Sequence, residues 1–119
     1  MPFMRKIASN KLLNRDGLLL LNPLVELDEQ GLIMQITTTC SPDCEPFTEF
    51  YAGLLVVGLN KMLAAEVMQS TQPLTEWLPS RLTDNSELWL LSSLDFQTLR
   101  PTPQTHIQRI GAKGSLPYI

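Results

Sequence analysis

The chain has 119 residues, of which 44% are hydrophobic and 18% charged, which is enough apolar material for one compact domain with a single core. Its formal net charge of −3 comes from 9 basic and 12 acidic residues without blocks of either sign, so no nucleic-acid partner is expected. The longest apolar run, residues 18–25, is interrupted by Asn22 and Pro23 and is too short to cross a bilayer, so no membrane association is expected.

The first third of the chain predicts strands joined by polar turns. Residues 5–13 alternate weakly and predict a first strand, and residues 14–17, Asn-Arg-Asp-Gly, supply the residue types of a turn. A second apolar segment covers residues 18–27. Residues 28–31, Asp-Glu-Gln-Gly, then predict a hairpin loop, and residues 32–38 are rich in β-branched side chains.

Residues 39–48 predict an irregular loop, because the segment contains two prolines that cannot donate backbone hydrogen bonds. It also contains Cys40 and Cys44, the only cysteines, with no second pair to complete a four-ligand zinc site. Reduced loop thiols are favoured over a disulfide or a metal pair in a cytoplasmic protein. No chemistry is assigned to either cysteine.

A buried strand is predicted for residues 49–57, where Gly53 indicates a β-bulge or a close approach by another backbone. Asn60 is a candidate N-cap, and the apolar residues of 61–69 recur at helical spacing, so this segment predicts a short amphipathic helix. An apolar stripe of this kind is typical of core packing rather than of a cofactor contact.

The last part of the chain predicts more helix and then two strands. Residues 73–82 are expected to add a turn or two of helix, with Trp77 as an anchor. Strand character returns in residues 88–91 and 105–110. The tail, residues 111–119, contains turn-forming glycine and proline and is expected to fray as a flexible end.

Two segments resemble parts of amidohydrolases, the superfamily of metal-dependent hydrolases. Residues 49–60, Glu-Phe-Tyr-Ala-Gly-Leu-Leu-Val-Val-Gly-Leu-Asn, are similar to the strand that leads into the catalytic barrel. Residues 87–103 are similar to the closing segment of bacterial members, and residues 105–110 match the last strand that follows it. The resemblance covers roughly two-thirds of the chain.

In the complete enzymes these two ends pair into a small β-sandwich, the composite domain, beside the barrel. The resemblance implies that this chain is a composite domain alone, with the barrel replaced by about two dozen residues, far fewer than a (β/α)₈ barrel needs. We therefore predict one domain, residues 1–119, with a mainly-β sandwich fold. N-terminal strands in residues 5–57 and C-terminal strands in residues 88–110 are expected to share one sheet, joined by a helical connection over residues 60–82.

The predicted core residues are the apolar members of these strands, subject to register. They are Leu18, Leu20, Val25, Ile33, Ile36, Leu54, Val56, Leu88, Leu90 and Ile107.

The metal-binding His-x-His motif of the family is missing from the chain. It would follow Asn60, where the sequence has Lys61-Met62-Leu63 instead, and none of these side chains replaces an imidazole ligand. No catalytic, cofactor-binding or metal-binding residue is therefore assigned, and no cofactor is expected. The only histidine, His106, is interpreted as an exposed or edge residue, and Asp95 as structural.

Three hypotheses on function follow. The first is a non-catalytic, amidohydrolase-like binding or structural module, in effect a pseudoenzyme. The second is an accessory subunit that docks on an amidohydrolase or self-associates as a homodimer, using the surface that faces the barrel in complete enzymes. The third, ranked last, is a residual metal-dependent C–N hydrolase with an unrecognised site.

A cytoplasmic location is expected, because the N-terminus leads into Ile7-Ala8-Ser9-Asn10 rather than into an apolar signal-peptide core.

Overall fold

The computed structural model describes residues 5–38, 48–83 and 87–110, and its strands form one seven-stranded sheet. The strands are β1 (Arg5–Leu13), β2 (Leu19–Leu21), β3 (Pro23–Leu27), β4 (Ile33–Thr38), β5 (Thr48–Val57), β6 (Leu88–Ser92) and β7 (His106–Ile110). Between β5 and β6 lie the helices α1 (Lys61–Gln69) and α2 (Leu74–Trp77) and a 3-10 turn (Pro79–Arg81). The predicted loop up to residue 47, with Cys40 and Cys44, and the tail 111–119 lie outside the described residues.

The spatial order of the strands is β4-β3-β1-β5-β6-β7, with β2 pairing beside the last part of β1. Neighbouring strands are antiparallel except for β1 and β5, which are parallel and place Lys6 opposite Thr48 and Leu13 opposite Val56. The N-terminal and C-terminal strands share this sheet through the β5–β6 pair. The mainly-β prediction is confirmed. The predicted sandwich is not confirmed, because all seven described strands belong to a single sheet.

The helices cover one face of this sheet, which we call the helix-covered face. The side chains of Leu63, Ala64 and Val67 on α1 pack there with Leu74 and Leu78 from the α2 region. Beneath them lie the inward-facing strand residues Leu13, Leu54, Val56, Trp89, Leu91 and Ile107. The predicted amphipathic helix is confirmed with the bounds expected from its spacing, and its apolar stripe serves core packing. Trp77 packs at the margin of this core as a partly buried anchor.

The opposite face of the sheet carries a second apolar cluster. Its buried members are Ile7, Leu12, Val25, Leu27, Leu55, Leu88, Leu90 and Ile110. Along β5, the three consecutive residues from Leu54 to Val56 are each 0% exposed, because alternate side chains enter the two clusters. Burial on both faces explains why residues 54–57 of β5 and 88–91 of β6 are unbroken apolar runs rather than alternating ones.

The two predicted turns form at the residues that predicted them. The Gly17 N–H donates to the Asn14 carbonyl over 3.0 Å, and Gly17 has a φ of +80°. In the β3–β4 hairpin, Asp28 Oδ1 accepts the backbone N–H groups of Gln30 and Leu32 at 2.8 and 3.0 Å. Both segments are therefore closed by local hydrogen bonds, as the sequence indicated.

Gly53 marks the point where β5 departs from regular pairing, which confirms the predicted bulge and close approach. From Ser9 to Lys11, β1 advances two residues while β5 advances three, from Tyr51 to Leu54. Gly53 has a φ of +149°, and a Cβ there would lie 2.5 Å from the carbonyl oxygen of Leu91 on β6. Only glycine can adopt this backbone conformation and also fit so close to the Leu91 carbonyl oxygen.

The second apolar segment, residues 18–27, forms two strands, because Asn22 has a φ of +50° and bends the chain between β2 and β3. The prediction for one core residue, Leu18, was wrong. Leu18 precedes β2 and is 67% exposed, so it does not belong to the core. Leu20, Ile33 and Ile36 are partly buried against the second cluster. The six other predicted core residues are buried: Val25, Leu54, Val56, Leu88, Leu90 and Ile107.

Candidate interaction surface

The two polar residues singled out in the sequence have the surroundings expected of them. His106 is exposed at the start of β7, the strand at one end of the sheet. Asp95 Oδ1 accepts the backbone N–H groups of Gln97 and Thr98 at 3.0 and 3.4 Å. These bonds, Gln97 first, lower the pKa of Asp95, because they stabilise the carboxylate form. Asp95 therefore fixes a turn.

Hydroxyl groups in the loop between β6 and β7 also form hydrogen bonds with the backbone. Thr102 Oγ1 and Thr105 Oγ1 both donate to the carbonyl of Ser93, at 2.8 and 3.1 Å, and Thr105 Oγ1 accepts the N–H of Thr102 at 2.8 Å. Ser93 and Leu99 have φ angles of +61° and +54°, so the loop follows a sharply turned path. The hydroxyl network holds this path in place, with Leu99 buried in the helix-covered core.

A cluster that sequence reasoning missed joins the two parallel strands. Arg5 donates two hydrogen bonds to Glu49, from Nε to Oε2 and from Nη2 to Oε1, each 2.8 Å long. The Tyr51 hydroxyl donates to Glu49 Oε1, also at 2.8 Å. Forty-four positions separate Arg5 from Glu49, so no local pattern could have revealed the pair.

The electrostatics of this cluster are those of a satisfied ion pair. The hydrogen bond from Arg5, followed by the one from Tyr51, lowers the pKa of Glu49, despite the opposing effect of burial. Burial, followed by the bond to Glu49, raises the pKa of Tyr51. Both carboxylate oxygens are occupied. The arrangement links β1 to β5. Glu49 accepts hydrogen bonds within the fold and is not placed to act as a proton acceptor in a reaction.

Across residues 5–38, 48–83 and 87–110, no group of three or more histidine, cysteine, aspartate or glutamate side chains is placed to hold a metal ion. The same ranges contain no helix long and apolar enough to span a membrane.

The outer edge of β4 is a surface suited to binding another polypeptide. Its six residues, Ile-Met-Gln-Ile-Thr-Thr, include no charged side chain and no proline. Among the described strands, β4 pairs only with β3, so alternate backbone N–H and C=O groups along its other side face no described strand. Natural sheets usually protect such an edge with charges or proline, and β4 has neither.

The opposite edge of the sheet differs from β4. β7 contains Arg109, whose Nη1 lies 2.7 Å from Oε1 of Glu87, and it begins with the exposed His106. Charged and polar side chains of this kind discourage the addition of another strand. Of the two ends of the strand order, β4 is thus the one with the less protected edge.

Side chains on β4 continue the rows that cross the sheet. Ile36 lies opposite Val25 of β3, and Val25 lies opposite Ile7 of β1. Val25 and Ile7 are each 0% exposed, whereas Ile36 at the end of the row is only partly buried. A bulge at Met34, which is 57% exposed, interrupts the register next to Gln35. The regularly paired part of the edge is therefore residues 35–38.

The chain matches no protein family, no curated protein and no solved structure.

Proposed function

We propose that this chain is a non-catalytic binding module that contacts a protein partner through the outer edge of β4. The observation that carries the proposal is that β4 is uncharged and pairs with β3 alone among the described strands. A strand added beside it would complete the backbone hydrogen bonds that face away from β3, and side-chain contacts would supply specificity. In this mode of recognition the binding surface is the main chain itself, so no cluster of reactive side chains is required.

The engagement of polar side chains supports the non-catalytic part of the proposal. Ser9 Oγ lies 2.6 and 2.8 Å from the carbonyls of Tyr51 and Gly53, and Asn10 Oδ1 accepts the Gly53 N–H at 2.9 Å. Asn60 caps α1, and Asp28 and Asp95 close turns. Side chains of the types that could take part in chemistry are thus used to satisfy turns, a bulge and a helix end.

We further infer that the module is amidohydrolase-like, and the order of its elements along the chain supports this part of the proposal. Strands from residues 5–57 and 88–110 share one sheet, and the helices lie between them in the chain, where a complete enzyme has its barrel. We infer that α1 and α2 cover a sheet face in place of the barrel. The alternative, an accessory subunit that docks on an amidohydrolase, would then use the β4 edge, because α1 and α2 already occupy the helix-covered face.

Catalysis is tested directly by assaying hydrolysis of a panel of linear and cyclic amides after addition of zinc, manganese or iron. We expect no turnover above that of the free metals. Metal-dependent turnover that disappears in His106→Ala and in a Cys40→Ser/Cys44→Ser variant would overturn the non-catalytic proposal and favour the residual hydrolase.

Binding at the edge is tested by placing a photo-crosslinking amino acid at Thr37 on β4 and, as a matched control, at His106 on β7. Both side chains are exposed and lie on strands at opposite ends of the sheet. We expect a protein adduct of defined mass from position 37 and none from position 106. Adducts from position 106 alone would refute the assignment of β4.

A further inference from the structure

We propose that the partner of β4 is a second copy of this chain, joined by antiparallel pairing of the two β4 strands about a two-fold axis that passes beside Ile36. The inference rests on the proposed function, since it names the occupant of the same edge. The result would be one continuous sheet that runs through both copies, with an isologous interface in which each strand meets itself.

The charge pattern of β4 favours a second copy. A two-fold axis brings every side chain near the axis close to its own counterpart, so a charged residue there would meet a like charge. Residues 33–38 contain no charge, so self-pairing of this strand brings no such repulsion. The strand at the other end of the sheet, β7, contains Arg109 and begins with His106, and a self-pairing there would bring these groups into the interface.

The packing of β4 favours an axis at Ile36. The row from Ile7 through Val25 ends at Ile36, and the Ile36 of the second copy would extend this apolar row across the axis. A β-branched pair at neighbouring positions of adjacent strands packs well on a pleated surface. In the same register, Gln35 lies opposite Thr37 of the second copy, so both cross-strand pairs beside the axis are polar and uncharged.

The bulge at Met34 limits how far this pairing extends. Regular register with β3 covers Gln35 to Thr38, which gives an interface of few strand residues. Interfaces of small area are weak and reversible. The dimer is therefore expected to depend on protein concentration, and its dissociation constant is a measurable quantity.

The test compares the wild type with charged variants by sedimentation velocity over a range of concentrations. Gln35→Lys with Thr37→Lys puts lysine opposite lysine on both sides of the axis. Within one copy this change is mild, because both side chains are exposed and position 35 lies opposite Glu26 of β3. His106→Lys, on β7, is the matched control. Circular dichroism of each variant shows whether it has kept its fold.

We expect the double lysine variant to raise the dimer dissociation constant by about tenfold or more, and His106→Lys to leave it unchanged. A second variant, Gln35→Glu with Thr37→Glu, adds a like charge opposite Glu26 within each copy, so its circular dichroism must match that of the wild type. It should also dissociate alone, yet form a heterodimer when mixed with the lysine variant. This recovery cannot arise from unfolding.

Two results would overturn the inference. One is a wild-type chain that remains monomeric at every concentration. The other is a dimer that is insensitive to both charged variants. A monomer that still gives an adduct from position 37 with a different protein would refute self-association and leave the proposed function standing. Metal-dependent hydrolysis would instead refute the proposed function.

Discussion

Replacement of Gly53 by alanine is expected to be among the most destabilising single changes in this protein. The added Cβ would lie 2.5 Å from the Leu91 carbonyl oxygen and 3.1 Å from Leu90 Cδ1. β6 cannot easily move away, because it pairs with β5 on one side and with β7 on the other. The φ of +149° adds strain, since side chains other than that of glycine rarely adopt it.

The magnitude follows from these two contributions. Backbone strain of this kind costs about 1–3 kcal/mol. Overpacking in an interior costs about 1–3 kcal/mol more. The sum, about 2–6 kcal/mol, is a large share of the roughly 5–15 kcal/mol that stabilises a typical domain. A loss of about 6 kcal/mol would unfold the variant extensively at 25 °C if the wild-type stability lies near the low end of about 5 kcal/mol.

Urea denaturation followed by tryptophan fluorescence measures the effect, since Trp89 is buried on β6. Gly17→Ala is the matched control. Its φ of +80° also disfavours alanine, but the nearest atom to the added Cβ is 3.9 Å away, on Pro79. We expect Gly17→Ala to cost about 1–2 kcal/mol, from backbone strain alone. Equal losses in the two variants, with unchanged urea dependence, would refute a steric contribution at Gly53.

Further predictions concern the helix cap, the ion pair and a surface leucine. Asn60→Ala should destabilise the fold by about 1 kcal/mol, because the Leu63 N–H loses its acceptor 2.8 Å away, whereas Asn60→Asp should keep most of this stability in urea melts. The pKa of Glu49 is lowered by Arg5, so its contribution is complete above the ordinary carboxyl pKa of 4.5 and is lost as the pH falls through the lowered value. Glu49→Gln should therefore flatten the acid side of a stability–pH profile. The effect should not exceed about 1 kcal/mol, since the carboxyl side chain is 40% exposed, and an unchanged profile would contradict it. Leu18→Ser should change thermal stability by no more than about 0.5 kcal/mol, and a loss typical of a core residue would place Leu18 in the interior.

Elements governed by local chemistry could be predicted from the sequence. The first strand and α1 have the bounds that alternation, helical spacing and the Asn60 cap indicated. Asp28 predicted a turn because its short carboxylate accepts nearby backbone N–H groups, and it does so. Gly53 predicted a bulge or a close approach by another backbone, because a glycine inside an apolar strand often marks one of these features. In each case the deciding contacts are hydrogen bonds or conformational preferences close to the residue.

Leu18 shows where local reasoning ends. Residues 18–21 are four consecutive leucines, so they carry no alternation that could separate an inner from an outer side chain. The pairing of Leu19 with Leu13 decides which leucines are exposed, because this contact fixes the start of β2 and leaves Leu18 between the preceding turn and the strand. A strand's exposed positions follow from its neighbours, and the neighbours are not encoded in the strand's own composition.

The candidate surface was equally out of reach of the sequence. Residues 33–38 were recognised as a strand, but whether a strand is central or at an edge depends on which other strands pair with it. The Arg5–Glu49 pair likewise exists only because β1 and β5 lie side by side in parallel, after three strands have intervened along the chain.

Local patterns were sufficient to predict the first strand, the capped helix, the turns and a special role for Gly53, because short-range hydrogen bonds and backbone sterics act between residues close in the chain. The folded chain was needed to show that the described strands form one sheet, that β4 lies at one end of their order, and that Arg5 meets Glu49. These features arise from contacts between distant segments, whose free energy depends on the whole arrangement and not on any local pattern.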